Sequence, residues 1–424
     1  MTQVNPVSYS ALLRGNQNFR LLWLGQIVSL TGDWFNLIAS AALIGELTQS
    51  GTAIGSLFVV RMLAPFLVSP IAGVVADRYN RKAILLATDL LRAVVVLGFL
   101  LVRSAEHVWL LYLLTAVQLG ISGFYFPTRN AILPDLVSRA ELGAANAISA
   151  ATWSTMLALG AALGGLVAGV WGNQPAFVID ALTFVVSAYF ISRIVYQPAT
   201  SPESSDKTVL GALRQYLDGL RYMRQQLDVL IIALHKPAIA LLITTGFQVI
   251  QVRIAEQVFV IGRGGGISLG IMYGVVGIGT GLGPILARYF TGDRDKALRT
   301  AIIIGYLLSA VGLLIASPLT DFYILQLGIL LRGIGAGTVW VFSTQLLLQL
   351  VPNQVRGRVF ATEYAIFTLM SAISAAITGP AMDLIGISGL LVWMASLSLL
   401  PMVLWMLWMV RSQTQVVESE QWGD

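Results

Sequence analysis

The feature that most constrains this chain is a series of apolar segments, each near the length that crosses a lipid bilayer. A transmembrane helix needs about 20 mostly apolar residues. Twelve segments meet that requirement: 20–46, 52–76, 83–103, 107–128, 144–170, 175–195, 230–258, 268–290, 299–317, 321–350, 359–383 and 388–410. The sequence therefore predicts an all-α membrane protein with twelve transmembrane helices.

Composition excludes the other broad classes. Of 424 residues, 56% are hydrophobic and only 11% are charged, whereas a soluble domain carries about 25% charged residues. So few charges are too sparse to cover the surfaces of a soluble enzyme, and the apolar fraction excludes a disordered or fibrous chain. The stretch before the first span is polar from Thr2 to Asn18, so we expect no cleavable signal peptide.

Basic residues predict the orientation of the spans. If both termini are cytoplasmic, nineteen of the 26 Lys and Arg residues fall in inner loops, and only Arg103 and Arg263 fall in outer loops. This asymmetry satisfies the positive-inside rule. We therefore predict a multi-pass protein of the inner or plasma membrane with cytoplasmic N- and C-termini. Because the net charge of +5 comes from these loops, we expect no nucleic-acid partner.

The spans divide into two halves around a polar stretch. Its second part places Leu210, Leu213, Leu217 and Leu220 at helical spacing, which predicts an amphipathic helix on the cytoplasmic membrane surface. Pro134 and Pro352 begin similar loops 218 residues apart, an offset that indicates internal duplication. The predicted divisions are a six-helix bundle, a linker with the amphipathic helix, a second six-helix bundle and a cytoplasmic tail: 1–196, 197–228, 229–411 and 412–424.

The segment between spans two and three carries the most specific motif. It reads Gly-Val-Val-Ala-Asp-Arg-Tyr-Asn-Arg-Lys and resembles the major facilitator superfamily signature G-x-x-x-D-R/K-x-G-R-R/K. Asn80 stands where that family usually has Gly, and we expect it to hold the turn at positive φ, which Asn tolerates next best. An ordinary positive-inside loop is the alternative. The matching residues, which we predict to form a gating motif, are Gly73, Asp77, Arg78, Arg81 and Lys82.

Three further stretches, 18–26, 126–134 and 356–359, resemble the branch of this superfamily that contains the enterobactin exporter and the macrolide efflux proteins. The resemblance implies the major facilitator fold, with two pseudo-symmetric six-helix bundles around a central cavity. It also implies alternating access, usually for export driven by an ion gradient. Spans one, four, seven and ten would line the cavity.

Charged residues inside spans are functional candidates, because a charge at the bilayer centre costs roughly 2.5–3.5 kcal/mol unless it is paired or hydrated. Asp33 and Arg61 lie at similar predicted depth, so we expect both to face the cavity and to pair. Glu256 in span seven and Arg332 in span ten are the candidates of the second half. Since a desolvated carboxylate can carry a proton, Asp33 and Glu256 are the predicted proton carriers. A structural ion pair that sets helix register is the alternative.

Other charges lie nearer the ends of spans. The predicted inner gate, on the cytoplasmic side, combines charged residues of the motif with those in neighbouring spans: Asp77, Asp89, Arg92, Arg129 and Glu363. Asp180 and Asp383 lie near predicted outer ends, where we expect solvated caps.

Aromatic and small residues give weaker signals. We expect Trp34, Tyr125 and Trp340, together with Trp153, to form an apolar wall for an amphiphilic substrate, with helix packing as the alternative. Span five carries small residues at helical spacing that resemble the antiporter motif of drug exporters without its proline, and plain helix packing also explains them. These residues are Gly160, Gly164, Gly165 and Gly169.

The sequence predicts neither cofactor nor metal, since His107 and His235 share no ligand spacing with other metal-binding side chains. No phosphate-binding loop of the form G-x-x-x-x-G-K-[ST] is present, so we do not expect an enzyme. We predict a monomeric secondary transporter in the lipid bilayer that exports small amphiphilic molecules of drug or siderophore type, with protons as the coupling ion. The alternatives are an importer or facilitator of the same fold and a receptor or scaffold without flux.

Overall fold

The computed structural model describes residues 8–138, 140–196, 209–291 and 294–421. The described residues are 91% helical and contain no strand. The all-α fold that the apolar segments predict is therefore confirmed.

The helices follow the predicted spans closely. In the first part of the described chain they are α1 Tyr9–Gly15, α2 Gln17–Thr48, α3 Gly51–Arg78, α4 Arg81–Leu97, α5 Val108–Leu136, α6 Leu142–Trp171, α7 Asn173–Ser192 and α8 Val209–Gln225. In the second part they are α9 Leu227–Ala233, α10 His235–Ile239, α11 Thr245–Gln257, α12 Gly266–Thr291, α13 Asp295–Ala316, α14 Phe322–Leu350 and α15 Asn353–Gln421.

Eleven helical stretches of the described chain are long and apolar enough to cross a membrane. The last of them, Val355–Arg411, has 57 residues and would measure about 85 Å at 1.5 Å per residue, nearly three times the hydrocarbon core. Gly386 interrupts it with φ +72° and ψ 167°. This stretch contains both of the last two predicted segments, so the eleven stretches account for all twelve.

Side-chain caps fix several helix starts. Asn16 accepts a hydrogen bond from the Phe19 amide at 2.9 Å, and Asn80 accepts one from the Ala83 amide at 3.1 Å. Asn80 has φ −61° and ψ 114°, so the expectation of a positive φ at this position is wrong. Asn caps helices as readily as it forms turns, and here it begins α4.

The chain forms two compact units. The first comprises the residues up to Gln215 together with Gln251–Gly274, and the second comprises Tyr216–Ile250 together with the residues from Val275 onward. Buried side chains such as Phe19 and Ile132 form a core in the first, and Phe342 and Trp405 belong to a core in the second. The predicted six-helix halves place 251–274 with the second bundle, and that division stays a prediction.

The predicted linker falls partly outside the described residues, which omit 197–208. Its amphipathic helix forms as α8, and within the second unit Met223 of this helix is fully buried. Gly219 lies so close to the Arg358 carbonyl and the Thr362 hydroxyl of α15 that a Cβ would overlap both. Asp218 adds an ion pair of 3.7 Å with Arg358. The end of α8 is therefore packed against α15.

The seventh predicted span is irregular. Helices α9 and α10 are followed by a π-helical turn at Ala240–Thr244 before α11 begins. Pro237 lies just before this turn and has no amide hydrogen to donate. Such π turns in helices frequently mark functional sites, and Lys236 lies beside this one.

Candidate functional site

The Arg92 guanidinium is the centre of a buried charge network in the first unit. It pairs with Asp89, one turn earlier on α4, and its Nη1 lies 3.8 Å from Asp33 Oδ2 on α2. The Ser187 hydroxyl of α7 donates to the other Asp89 oxygen at 2.6 Å. Arg92 and Asp89 are 1% and 0% exposed. A single charge network therefore joins α2, α4 and α7.

Two aromatic rings hold the Arg92 guanidinium in place. Its central carbon lies 4.2 Å from the Phe184 ring centroid and 4.7 Å from that of Tyr125. A desolvated cation–π contact is worth about 2 kcal/mol. Tyr125 is itself buried, so the expectation that it forms part of an accessible wall is wrong; its ring covers Arg92 instead.

The Asp33 side chain is 28% exposed, which makes it the accessible member of the Arg92 network. Arg61 of α3 attracts Asp33 at longer range, so both lie in the same region, as their predicted depths suggest. Among the described residues, however, the ion pair of Asp33 within 4.0 Å is with Arg92. Asp89 and Arg92 lie two to three turns inside α4, deep enough to reach Asp33. We therefore assign them to this network and not to the predicted inner gate.

Arg129 forms a second buried polar group in the first unit. Its Nη2 donates to Gln26 Oε1 of α2 and to the Ser149 hydroxyl of α6 at 2.6 Å. Arg129 is only 5% exposed. Polar side chains that the hydropathy pattern does not single out thus accept hydrogen bonds from Nη2 of a guanidinium that lies among three helices.

The predicted gating motif is only partly described. The side chains of Gly73, Asp77 and Arg78 lie outside the described part of the structure, and the gating role of Asp77 remains a prediction. Arg81 Nη1 donates to Asp135 Oδ2 at 2.7 Å and to the Ala131 carbonyl at 3.0 Å, both on α5.

Lys82 anchors the other side of this turn. Its Nζ donates to the Ser192 and Ile194 carbonyls, each at 2.7 Å, where α7 ends. Arg81 and Lys82 therefore tie the start of α4 to the ends of two neighbouring helices.

Glu256 lies against α2 within the first unit. Its carboxyl occupies the space directly over Gly45, where a Cβ would overlap it. Both carboxyl oxygens are buried and have no hydrogen-bond partner among the described residues. Arg253 and Glu46 are its charged neighbours. Glu256 thus lies near the C-terminal end of α2, away from Asp33.

The small residues of α6 form a close helix contact. A Cβ at Gly165 would lie 2.5 Å from the Gly270 Cα of α12. Trp34 covers Gly160, where a Cβ would lie 2.9 Å from Trp34 Cδ1, and its ring centroid is 5.6 Å from that of Tyr273. The small residues and Trp34 therefore serve helix packing in this structure.

In the second unit, a buried ion pair lies beside the π-helical turn. Lys236 Nζ donates to Glu363 Oε2 of α15 at 3.0 Å. The same ammonium lies 5.0 Å from the Trp340 ring centroid and 5.5 Å from that of Phe360. Trp340 is 38% exposed, so the pair has an accessible aromatic cover. Glu363, predicted as a gate residue, has Lys236 as its described partner.

Arg332 is buried in the same unit. Its Nη1 donates to the Ile243 carbonyl at 3.3 Å, and its guanidinium carbon lies 4.1 Å from the Phe247 ring centroid. Arg332 therefore stabilises the region of the π-helical turn, where carbonyls lack regular helical partners.

The sequence marks the unusual charges but not their partners. Lys236 is a charge within an apolar segment and carries the same insertion cost that marks Arg332. Asp135 directly follows Pro134 of one family-like stretch, and Gln26 ends another. Ser149 carries no such signal. Within the described residues, no group of three or more His, Cys, Asp or Glu side chains could hold a metal ion.

A family model and several named relatives match this chain. A model described as Major Facilitator Superfamily matches residues 22–297. The multidrug resistance protein MdtG of Citrobacter koseri is 30% identical over 363 residues, 81% of this chain and 83% of its own. BacE of Bacillus subtilis, a proposed bacilysin exporter, is 25% identical over 359 residues, 84% of this chain and 86% of its own.

Solved structures share the fold. A bacterial homologue of the human lysosomal transporter Spinster, in an inward-facing and unoccupied conformation, superposes with a TM-score of 0.75. It is 15% identical, and the match covers 92% of this chain and 96% of that one.

Proposed function

This chain belongs to the major facilitator superfamily, and from that membership we propose that it is a proton-coupled exporter of small amphiphilic organic molecules. It is a transporter with efflux-type relatives. The observation that carries the proposal is the charge network of Asp33, Asp89 and Arg92 inside membrane-spanning helices.

A passive scaffold would bear the cost of burying this network without using it. Ionisable side chains within spans are costly and mark ion or substrate pathways. Asp33 is the partly exposed member, and Arg92 is covered by two rings. Protonating Asp33 would weaken its attraction to Arg92 and thereby loosen α2 from α4. Such a change couples a proton to helix movement.

An apolar groove in the first unit supports the proposed substrate class. The groove has a volume of about 440 Å³, within the range of small-molecule sites. Most of its lining is apolar, with two threonine hydroxyls, and it runs between α1, α2 and α6. It is lined by Tyr9, Leu13, Trp23, Ile27, Ala147, Ile148, Ala151, Thr152, Thr155 and Met156. An amphiphile with one polar end matches this lining.

The proposed direction of transport is outward, as the names of the efflux-type relatives suggest for those proteins. It is consistent with the predicted cell-membrane location and with cytoplasmic N- and C-termini. Basic residues such as Arg81 and Lys82 then anchor the inner face. In this proposal the protein acts as a monomer, and its substrate is collected from the cytoplasm or the inner leaflet.

The test is transport in proteoliposomes that contain the purified full-length chain. Vesicles loaded with the amphiphilic cation ethidium and a lumenal pH dye receive a pH jump across the membrane. A proton-coupled exporter gives gradient-dependent ethidium movement, with an opposite proton flux, and Asp33→Asn abolishes the proton flux. Asp383→Asn, at an exposed acid, is the matched control and leaves both fluxes intact.

Two results would reject parts of the proposal. Ethidium movement that ignores the pH gradient, in wild type and Asp33→Asn alike, would indicate a facilitator. Ethidium and protons moving in the same direction would indicate an importer.

A further inference from the structure

Asp180 is a buried acid that the proposed proton coupling through Asp33 does not use. Its position near the end of a predicted span suggested a solvated cap, but the structure contradicts this: Asp180 is 0% exposed. It is the eighth residue of α7 and packs against α2, where a Cβ on Gly32 would overlap its carboxyl. Asp180 thus lies one residue from the level of Asp33.

The helices around Asp180 differ in the titratable groups that they place near its carboxyl. The charged residues that act on it are Asp33 of α2, Arg61 of α3 and Arg92 of α4. Tyr273 of α12 faces Arg61, and α6 contains no titratable residue. The Asn36 amide faces Asp180, yet neither carboxyl oxygen has a hydrogen bond of normal geometry among the described residues.

The formal charges around Asp180 do not balance. Three carboxyls (Asp33, Asp89 and Asp180) face two guanidinium groups (Arg61 and Arg92), which leaves one negative charge in excess if all are ionised. An uncompensated charge in an apolar interior is strongly unfavourable, and such a group is neutralised instead. The proton is therefore expected on the carboxyl that lacks both a charged partner and exposure.

The contacts identify which one. Asp89 accepts from Arg92 and from Ser187, and both interactions favour its ionised form. Asp33 is 3.8 Å from Arg92 and partly exposed, so it too can stay ionised. Asp180 makes no ion pair within 4.0 Å among the residues that the structure describes, and it is 0% exposed.

We propose that Asp180 carries the proton in this conformation and exchanges it with bulk water through Asp33, so that the two acids form the ion-coupling site of the transporter. The O–H bond of the Asp180 carboxyl breaks as an intervening water molecule accepts the proton and gives one of its own to the Asp33 carboxylate, and the partly exposed Asp33 then passes the proton to bulk water. The assignment of a coupling role rests on the proposed proton-coupled transport; the protonation of Asp180 does not.

Infrared difference spectroscopy of the purified full-length chain in lipid nanodiscs tests the protonation directly. Wild type should show C=O stretching intensity of protonated carboxyls at neutral pH. Asp180→Asn should remove one part of that intensity, and Asp89→Asn should retain it. Any band of the buried Glu256 carboxyl is identified by its loss in Glu256→Gln and should be unaffected by Asp180→Asn. Intensity in Asp180→Asn equal to that of wild type, or its absence from wild type, would overturn the proposal.

Thermal stability gives a second readout that does not depend on transport. Asn has the shape and charge of a protonated Asp, so Asp180→Asn should leave the melting temperature unchanged at neutral pH. Asp89→Asn removes an ionised acceptor of Arg92 and should lower it. A lower melting temperature in Asp180→Asn than in Asp89→Asn would show that Asp180 is ionised, against the proposal.

Flux measurements separate the two ideas. If Asp180 is protonated but wild type moves no protons with substrate, proton-coupled transport fails while the protonation assignment stands. If wild type moves protons and Asp180→Asn does so at the same rate, Asp180 is not the coupling acid.

Discussion

Lys236 Nζ donates to Glu363 Oε2 at 3.0 Å, and the side chains of this pair are 9% and 3% exposed. Removing one member leaves the other buried and uncompensated, which costs about 3–5 kcal/mol. Glu363→Gln and Lys236→Met should therefore each lower the melting temperature strongly, whereas the double variant should lose much less than the sum. A double-mutant cycle by thermal unfolding in detergent measures this.

The control for this cycle is the pair of Asp218 and Arg221, at 3.8 Å and largely exposed. Exposed pairs contribute about 0–1 kcal/mol, so Arg221→Met should have little effect. Additive losses at Lys236 and Glu363 would contradict a direct ion pair.

The contact between α6 and α12 predicts a contrast between two glycines of one helix. A Cβ at Gly270 would lie 2.8 Å from Gly165 Cα, and backbone has no room to move aside. Gly270→Ala should therefore destabilise the protein by about 1–3 kcal/mol. At Gly281 no atom lies within 4 Å of the added Cβ, so Gly281→Ala should be neutral or should raise stability by about 0.5–1 kcal/mol.

Thermal unfolding of the two single variants checks this contrast. Equal melting temperatures for the Gly270 and Gly281 variants would mean that α6 and α12 are not in backbone contact.

Gly386 separates the last two spans, and its backbone conformation is one that only glycine adopts readily. With φ +72° and ψ 167°, an alanine there should cost about 1–3 kcal/mol of backbone strain. Gly389 lies three residues on, and its nearest neighbour to an added Cβ is Ile385 at 3.7 Å, an ordinary contact. Gly389→Ala should be tolerated, and unchanged stability of Gly386→Ala would show that the break is absent.

Glu141 gives a pH dependence outside the spans. The Ser138 amide donates to its carboxylate at 2.8 Å, and this bond lowers the Glu141 pKa below its ordinary value of 4.5. A lowered folded-state pKa contributes stability above the unfolded pKa, and that stability is lost as pH falls through the folded one.

The Glu141 contribution is measured as melting temperature against pH, from neutral to below 4.5. Wild type should lose more stability over this range than Glu141→Gln, whose side chain does not titrate. Glu106→Gln, at an exposed acid, should follow the wild-type curve. Parallel curves for wild type and Glu141→Gln would contradict the assigned bond.

The fold was predictable because segment length and apolar content suffice to define spans. The site was predictable only in part. Hydropathy marks Asp33 and Arg92 as unusual, but it does not say how each helix is rotated about its axis, since lipid and protein interior are both apolar. For that reason the pairing of Asp33 with Arg92, and the burial of Asp180, emerge only from the packed helices.

Sequence patterns gave wrong predictions at residues whose type is compatible with two structural roles. Asn80 stands at a position that favours a left-handed turn in the family, yet it caps α4 with a negative φ. Tyr125 matched the pattern of a cavity aromatic but packs under Arg92. The cation–π contact of Tyr125 is made with a residue 33 positions away, whereas the Asn80 cap is local and is made with the Ala83 amide.

The contact of Gly165 with Gly270 is smooth on both sides. Most helix pairs interlock knobs and holes, so that a shift in register must lift side chains over ridges. Here the two backbones meet directly, so a shift of one helix along the other has fewer side chains to displace. The bulky groups beside the contact would limit such a shift: the Trp34–Tyr273 ring contact and Ile267, which packs against Gly169.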